Sequence, residues 1–500
     1  MKSRALKALA WALDHDRAVV AVLAVMTGLA WYLTQPITFT YDSFAYLDAA
    51  RSIAGVEGGK FAYFRAPLLP LLMAATKVPS AQTFAWFIAA QLLLGVAIVM
   101  VMHACLRRIS RSLGFFASIL LISTFIAFVH SKSVMTEQIY LLGWCLCIDG
   151  ALAYLSTGAR IRLAQVVMAL LMLAMSRAQG AFVAVVALPF MAICKPGRLP
   201  EIAGSALILS LAIFGYSLVH APRVNLIADA SKPAAVSQFG VTNSTGKMLF
   251  MVVYWDPYRR LGRALVRPAN GPASKRLFSE LKEYYSVPAN LTAGMDYRLY
   301  GRFAGRPDDL VSTMESQPDG QYWWAIWQAM DARLGAGAAD ELILRVTAET
   351  VQAHPLEVAS IYLRNFAVAL VAADSSYVWS HPSFGPEQLG SALSAEMAAS
   401  GNSAVTTKLA RVLNIYFPAV QITLLLAAIL LAPAAWRGPL RAPWLFCIAL
   451  LAYNHLTVAV AATPESRYTF YAFPVLLVAV ALGAEAAWEK ARARGLNRRF

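Results

Sequence analysis

Residues 163–194 read LAQVVMALLMLAMSRAQGAFVAVVALPFMAIC, and the way this stretch divides decides the fold. A membrane span needs about 20 mainly apolar residues to cross roughly 30 Å of hydrocarbon. The stretch is too long for one span, and Ser176-Arg177-Ala178-Gln179-Gly180 interrupts it. Either it is a single span with an overhang, or it is two short helices hinged at Arg177. Charge chooses between them. With a hinge, every Lys/Arg-rich connection from Arg107 to Arg499 falls on the side of the N-terminus. Without one, everything after Cys194 inverts, and Arg437, Arg441 and the basic tail face the other way. The positive-inside bias therefore predicts two helices, ten spans in all, and both termini in the cytoplasm. Residues 163–175 are then only about 20 Å long. Arg177 is expected below the outer surface, in a cavity lined by protein.

The composition agrees with this reading. Of 500 residues, 59% are hydrophobic and only 14% charged, with a mean hydropathy of +0.55. Soluble domains carry about 25% charged residues. A string of soluble domains is excluded, as are disulfide scaffolds, collagen-like chains and disordered tails. The net charge of +15 invites a nucleic-acid reading, but its distribution removes it. Eighteen of the 43 Lys and Arg residues lie in the termini and short connections assigned to the cytoplasm, from Lys2, Arg4 and Lys7 to Arg498 and Arg499. Between residues 221 and 411 the basic residues are nearly cancelled by acidic ones. The excess is a membrane-topology signal, and nucleic acid is not an expected partner. Cys105, Cys145, Cys147, Cys194 and Cys447 all lie in apolar stretches without metal-ligand spacing, and read as small buried hydrophobes. The basic N-terminus before an apolar run reads as an uncleaved first span.

Spans are expected at 18–34, 82–105, 113–130, 135–156, 202–220, 409–432, 443–463 and 468–488, besides the hinged pair. The fold class is an α-helical polytopic membrane protein. Residues 1–220 form an N-terminal transmembrane core with its first outer loop at 35–81. Residues 221–408 form an outer-face region of mixed helix with some irregular or strand structure. Residues 409–500 supply the last three spans and a basic cytoplasmic tail.

This topology gathers several polar residues on the outer face. The first outer loop, Phe39-Thr40-Tyr41-Asp42-Ser43-Phe44-Ala45-Tyr46-Leu47-Asp48, reads as a short interfacial helix. Asp42 and Tyr46, four apart, share a face. Asp48 is six from Asp42 and about 120° around, so the two carboxylates cannot enter one site. Asp42 also reads simply as a helix cap. Arg65-Ala66-Pro67-Leu68-Leu69-Pro70 precedes a short apolar run that suits a kinked interfacial helix. Arg65 could touch lipid phosphate or snorkel. Glu137 opens the fourth span close to Lys132, a position the helix dipole also favours. Thr463-Pro464-Glu465-Ser466-Arg467-Tyr468 precedes the last span, where Arg467 and Tyr468 read either as interfacial anchors or as site residues.

Taken together, these motifs resemble the GT-C superfamily of membrane glycosyltransferases. They are an Asp then Tyr at the start of the first outer loop, Arg-x-Pro-x-x-Pro, Glu at the fourth span, the Arg-x-x-Gly hinge and Glu-x-Arg-Tyr before the last span. The chain is most similar to the bacterial branch related to protein O-mannosyltransferases and lipid A aminoarabinose transferases. The resemblance covers 1–220 and 409–488 and hardly touches 221–408. It implies an inverting transfer of a sugar, hexosyl or pentosyl, from a polyprenyl-phosphate donor to an envelope glycan, lipid or protein acceptor, at the outer face of a bacterial inner membrane. On that reading Asp42 is the general base. Arg467, Arg177, Lys132 and Arg65 hold the donor phosphate, with Tyr46, Asp48, Glu137, Glu465 and Tyr468 in support. Many relatives have Asp-Glu where this chain has Asp42-Ser43, so a mechanism needing both carboxylates does not carry over. The residues call for no cofactor, and a divalent cation enters only through that paired motif. A transporter or flippase for a lipid-linked sugar is the alternative. It would show broken helices in two inverted halves, where the sequence offers one broken pair.

Overall fold

A computed structural model describes residues 2–39, 41–56, 66–227, 241–292, 303, 305–318, 320–371, 392–393, 395–396, 404–461 and 470–494. Among the described residues the chain is helical, and its single β-type feature is an isolated parallel bridge between Thr38 and Ser133. In chain order the first helices are α1 (Lys2–Asp14), α2 (Asp16–Thr34), α3 (Tyr41–Ile53), α4 (Leu68–Ala75), α5 (Val78–Ala81), α6 (Ala85–Ile109), α7 (Arg111–Ser123), α8 (Glu137–Thr157), α9 (Arg160–Ser176), α10 (Ala178–Cys194) and α11 (Leu199–Ile227). The outer-region helices follow: α12 (Val241–Leu261), α13 (Pro272–Tyr285), α14 (Pro288–Thr292), α15 (Pro307–Ser316), α16 (Gly320–Leu334), α17 (Ala336–Ala353) and α18 (Pro355–Val371). The last are α19 (Ala404–Arg437), α20 (Arg441–Ala461) and α21 (Ala472–Ala493).

Among the described residues, seven helices are long and apolar enough to cross a membrane, over Asp16–Thr34, Ala85–Ile109, Glu137–Thr157, Pro196–Gly215, Ile415–Arg437, Arg441–Val460 and Ala472–Ala493. Arg111–Ser123 and Gln179–Cys194 are shorter apolar helices. The protein is thus an α-helical, multi-pass membrane protein. Burial ranks the spans: 83% of the apolar window of α8 is buried, against 11% for Pro196–Gly215. A helix that is apolar all round belongs at the centre of its bundle, and α8 occupies that place, packed against α6 and α9.

The chain divides into two compact units, residues 1–216 with 370–455 and 465–500, and residues 217–369 with 456–464. The core of the first includes Trp31, Phe128, Tyr140, Trp144, Leu173 and Tyr471. A neighbouring cluster of Phe39, Tyr46, Leu47, Met73, Phe84 and Val134 seats the short helices α3 and α4. The second unit has its own core, from Phe250 and Tyr254 through Leu277, Phe278 and Leu281 to Ile326, Ile343 and Val346. In α13 the buried residues Leu277, Phe278, Leu281 and Tyr285 recur at helical spacing. Glu349 of α17 fastens the start of that helix, accepting from the backbone N–H groups of Ala273 (2.8 Å) and Ser274 (2.7 Å).

Two expectations are corrected. The described residues of 221–408 are helices joined by short irregular stretches such as 262–267, and they include no strand, because amphipathic helices such as α13 bury their apolar faces on one another. The third span does not run over 113–130. Its helix stops at Ser123, and Phe125 adopts a left-handed backbone with φ 56°, which no helix can continue through. Residues 124–136 are turns, and 126–136 are all buried.

Candidate functional site

The hinge lies where the sequence places it. Arg177 alone separates α9 from α10, in an extended conformation (φ −155°, ψ 144°). Its backbone N–H still closes α9 on the Leu173 carbonyl at 3.0 Å, and its own carbonyl accepts from Gly180 at 2.9 Å. The break therefore costs little backbone hydrogen bonding. Gly180 is required there, since a Cβ would collide with the backbone carbonyl of Leu173.

The Arg177 side chain is 13% exposed and meets Glu137, which is fully buried, at 3.0 Å. Its guanidinium also donates to the Tyr471 hydroxyl. The rings of Tyr140 and Tyr471 both flank it, each centroid 5.8 Å away, and those rings pack edge to face at 4.5 Å. Glu137 begins α8, Arg177 is the hinge, and Tyr471 immediately precedes α21. One cation thus ties three connections at one end of the bundle. Phe470 adds a ring contact of 5.0 Å to His130, and Tyr453 donates to the Gln179 carbonyl at 2.7 Å.

The segment at 35–53 is sewn to the same end. Thr38 donates its N–H to the Lys132 carbonyl at 2.8 Å and accepts from Val134 at 3.1 Å. The Ser43 hydroxyl donates to the Val134 carbonyl at 2.9 Å. Asp42 is the residue before that anchored serine, and its backbone lies in the first turn of α3. Its side chain, together with Arg65, Glu465, Arg467 and Tyr468, lies outside the described residues. Tyr471 stands four residues after Arg467, so even a fully extended chain keeps their Cα atoms within about 14 Å.

The other expected residues part company. Lys132 is 8% exposed. Its amine donates to the Tyr32 carbonyl at 3.0 Å and stands 5.0 Å from that ring's centroid. Burial lowers its pKa, and the field of Glu396 opposes the shift. It faces the end of α2 through its contacts with Tyr32. Tyr46 is buried in the apolar cluster that seats α3. Asp48 points away and pairs with Arg51 at 3.3 Å. In the second unit, Tyr254 and Tyr322 lie in the core.

Sequence reasoning passed over Tyr140 and Tyr471. The signals were present: Tyr140 is three residues after Glu137, on the same helix face, and Tyr471 four after Arg467. Among the described residues, no three His, Cys, Asp or Glu side chains gather where a metal ion could be held. The arrangement provides a rigid, charge-balanced corner with a carboxylate-bearing loop and an arginine-bearing loop attached to it. Comparison with family models, curated proteins and solved structures finds none that matches this chain.

Proposed function

We propose that the protein is an integral membrane glycosyltransferase, using a polyprenyl-phosphate sugar and an acceptor at the outer face of a bacterial inner membrane. The observation that supports it best is the joining of three connections through Arg177, with the Asp42 loop hydrogen-bonded to the neighbouring turn. Asp42 removes a proton from the acceptor hydroxyl as that oxygen attacks the anomeric carbon. The bond to the carrier phosphate breaks, the anomeric centre inverts, and the phosphate leaves with added negative charge. Arg467 receives that charge, with Lys132 and Arg65 as further phosphate contacts. Arg177 is a positioning residue, its charge already matched by Glu137. The carrier's tail lies between spans. The seven long spans, with α7, α9 and α10, make ten, and both termini are cytoplasmic.

The test is lipid and glycan profiling of a deletion strain complemented with variants. A transferase predicts that deletion accumulates a polyprenyl-phosphate sugar and removes one sugar from the envelope, and that Asp42→Asn behaves as the deletion. Arg467→Ala should do the same at normal protein abundance, with Arg467→Lys recovering only part, since a point charge replaces a bidentate one. Full sugar transfer by Asp42→Asn would overturn the reading. Loss of lipid-linked sugar flux across a reconstituted bilayer, with no transfer step affected, would favour a flippase instead.

A further inference from the structure

The opposite end of the same unit holds a cavity that glycosyl transfer at the Arg177 end does not use. Asp149 lies twelve residues along α8 from Glu137, about 18 Å at 1.5 Å per residue, and Arg162 lies at the start of α9, whose other end is the hinge. The cavity has a volume of about 350 Å³ and is lined by Arg17, Ala104, Arg107, Arg108, Asp149 and Arg162. That size falls at the lower end of the ~300–1,000 Å³ typical of small-ligand sites.

Its charge is not balanced from within. Arg107 meets Asp16 at 2.7 Å. Asp149, 5% exposed, is shared by Arg108 and by Arg162 at 3.7 Å, and also accepts from Gln165 at 2.9 Å. Two carboxylates therefore answer four guanidinium groups. Arg17 is exposed and pairs with no carboxylate among the described residues. The positive-inside bias accounts for basic residues on this side, but not for four of them converging on one hollow. Nor does the helix dipole account for it. Arg107 and Arg108 close α6, where cations are favoured, but Arg17 and Arg162 stand in the first turns of α2 and α9, where anions are favoured.

We propose that this cavity binds a phosphoryl group carrying about two negative charges, presented by the headgroup of an anionic lipid. The lipid source follows from position. The cavity opens beside α8 between the first turns of α2 and α9 and the last turn of α6, and α2, α6 and α8 are spans by length and apolarity, so the span ends that line it belong at the hydrocarbon–water boundary. Basic pockets between span ends recognise phosphorylated headgroups there by charge-assisted, bidentate hydrogen bonds.

The experiment uses the full chain in phosphatidylcholine nanodiscs and follows its melting temperature as phosphatidate is added, with inorganic phosphate as a parallel arm. Phosphatidate should raise the melting temperature in a saturable way that extra phosphatidylcholine does not reproduce. Arg17→Gln and Arg162→Gln, which leave Arg107 on Asp16 and Arg108 on Asp149, should each weaken the apparent affinity about tenfold. Without phosphatidate Arg17→Gln should melt as the parent does, while Arg162→Gln, which gives up a pairing with Asp149 at 3.7 Å, is read as the shift from its own lipid-free melting temperature. Protection by inorganic phosphate alone, lost in both variants, would keep the phosphoryl site and make its source aqueous. No protection by either, or protection equal in parent and variants, would overturn it.

Discussion

At the scale of single residues, the Glu137–Arg177 pair shows how a costly group becomes a fixed one. Taking an isolated charge out of water costs several kcal/mol, and removing one partner of a buried pair commonly costs about 3–5 kcal/mol because the other is left uncompensated. Arg177→Ala should therefore act first on stability, stranding a carboxylate that is fully buried. Glu137→Ala should do the same by stranding the guanidinium. A double variant that combines Glu137→Gln with Arg177→Met should melt higher than either alanine variant. Detergent-solubilised melting temperatures decide this, and a double variant less stable than both singles would contradict it. A pH effect belongs to the second unit. Asp256 is wholly buried and accepts from Asn365 at 2.8 Å. Burial raises its pKa above the ordinary 3.8, against the Asn365 hydrogen bond and the charges of Arg260 and Arg259. A raised carboxylate favours folding while protonated, and that contribution is lost as pH rises through its folded pKa. Asp256→Asn should consequently melt above the parent at pH 7, with the gap closing as pH falls toward 4. A gap that widens on acidification would reverse the sign.

At the scale of elements, the hinge was legible because a cation and a glycine inside an apolar run are conspicuous. Its partner Glu137 is the carboxylate at the neighbouring connection. Other boundaries were hidden for physical reasons. The end of α7 at Ser123 leaves no trace in an apolar reading, because Phe125 and Ile126 continue the hydrophobic run while the backbone reverses. Tyr46 read as a site residue from its spacing to Asp42, but spacing gives the face of a helix and not what covers it. The outer region read as mixed because turn signals such as Asn270-Gly271-Pro272 outweighed the helical periodicity of Leu277, Phe278 and Leu281. The hinge supplies its own prediction. Gly180→Ala should force α9 and α10 apart at Leu173, lowering the melting temperature by more than Gly204→Ala, where nothing lies within 4 Å of an added Cβ. Equal effects would show that the close approach is dispensable.

At the scale of the whole molecule, topology carries the functional reading, since it decides which residues can share a compartment. Ten spans require α7, α9 and α10 to cross although each is shorter than an ordinary span. Reporter fusions after Arg198 and at the C-terminus should both report cytoplasm. An outward C-terminus would remove the two-helix crossing and separate Arg177 from the outer phase. The division into two units has a similar bearing, because each has a separate core and substitutions in one should leave the melting of the other unchanged.

The brevity of α7 also bears on how the chain is made. Thirteen residues span about 20 Å, some two-thirds of the roughly 30 Å a segment must offer to settle in lipid unaided. Only Ser110 separates it from α6, and a Cβ at Gly114 would already lie 2.7 Å from the Arg107 nitrogen, so the two helices leave the ribosome as a tight hairpin. Entry into the bilayer is then expected to be a joint event, in which the 25 residues of α6 carry α7 with them. The buried turns at 124–136 meet Phe470 through His130, and Arg177 meets Tyr471. The corner that Glu137 and the hinge begin is therefore closed by residues at the start of α21, near the far end of the chain.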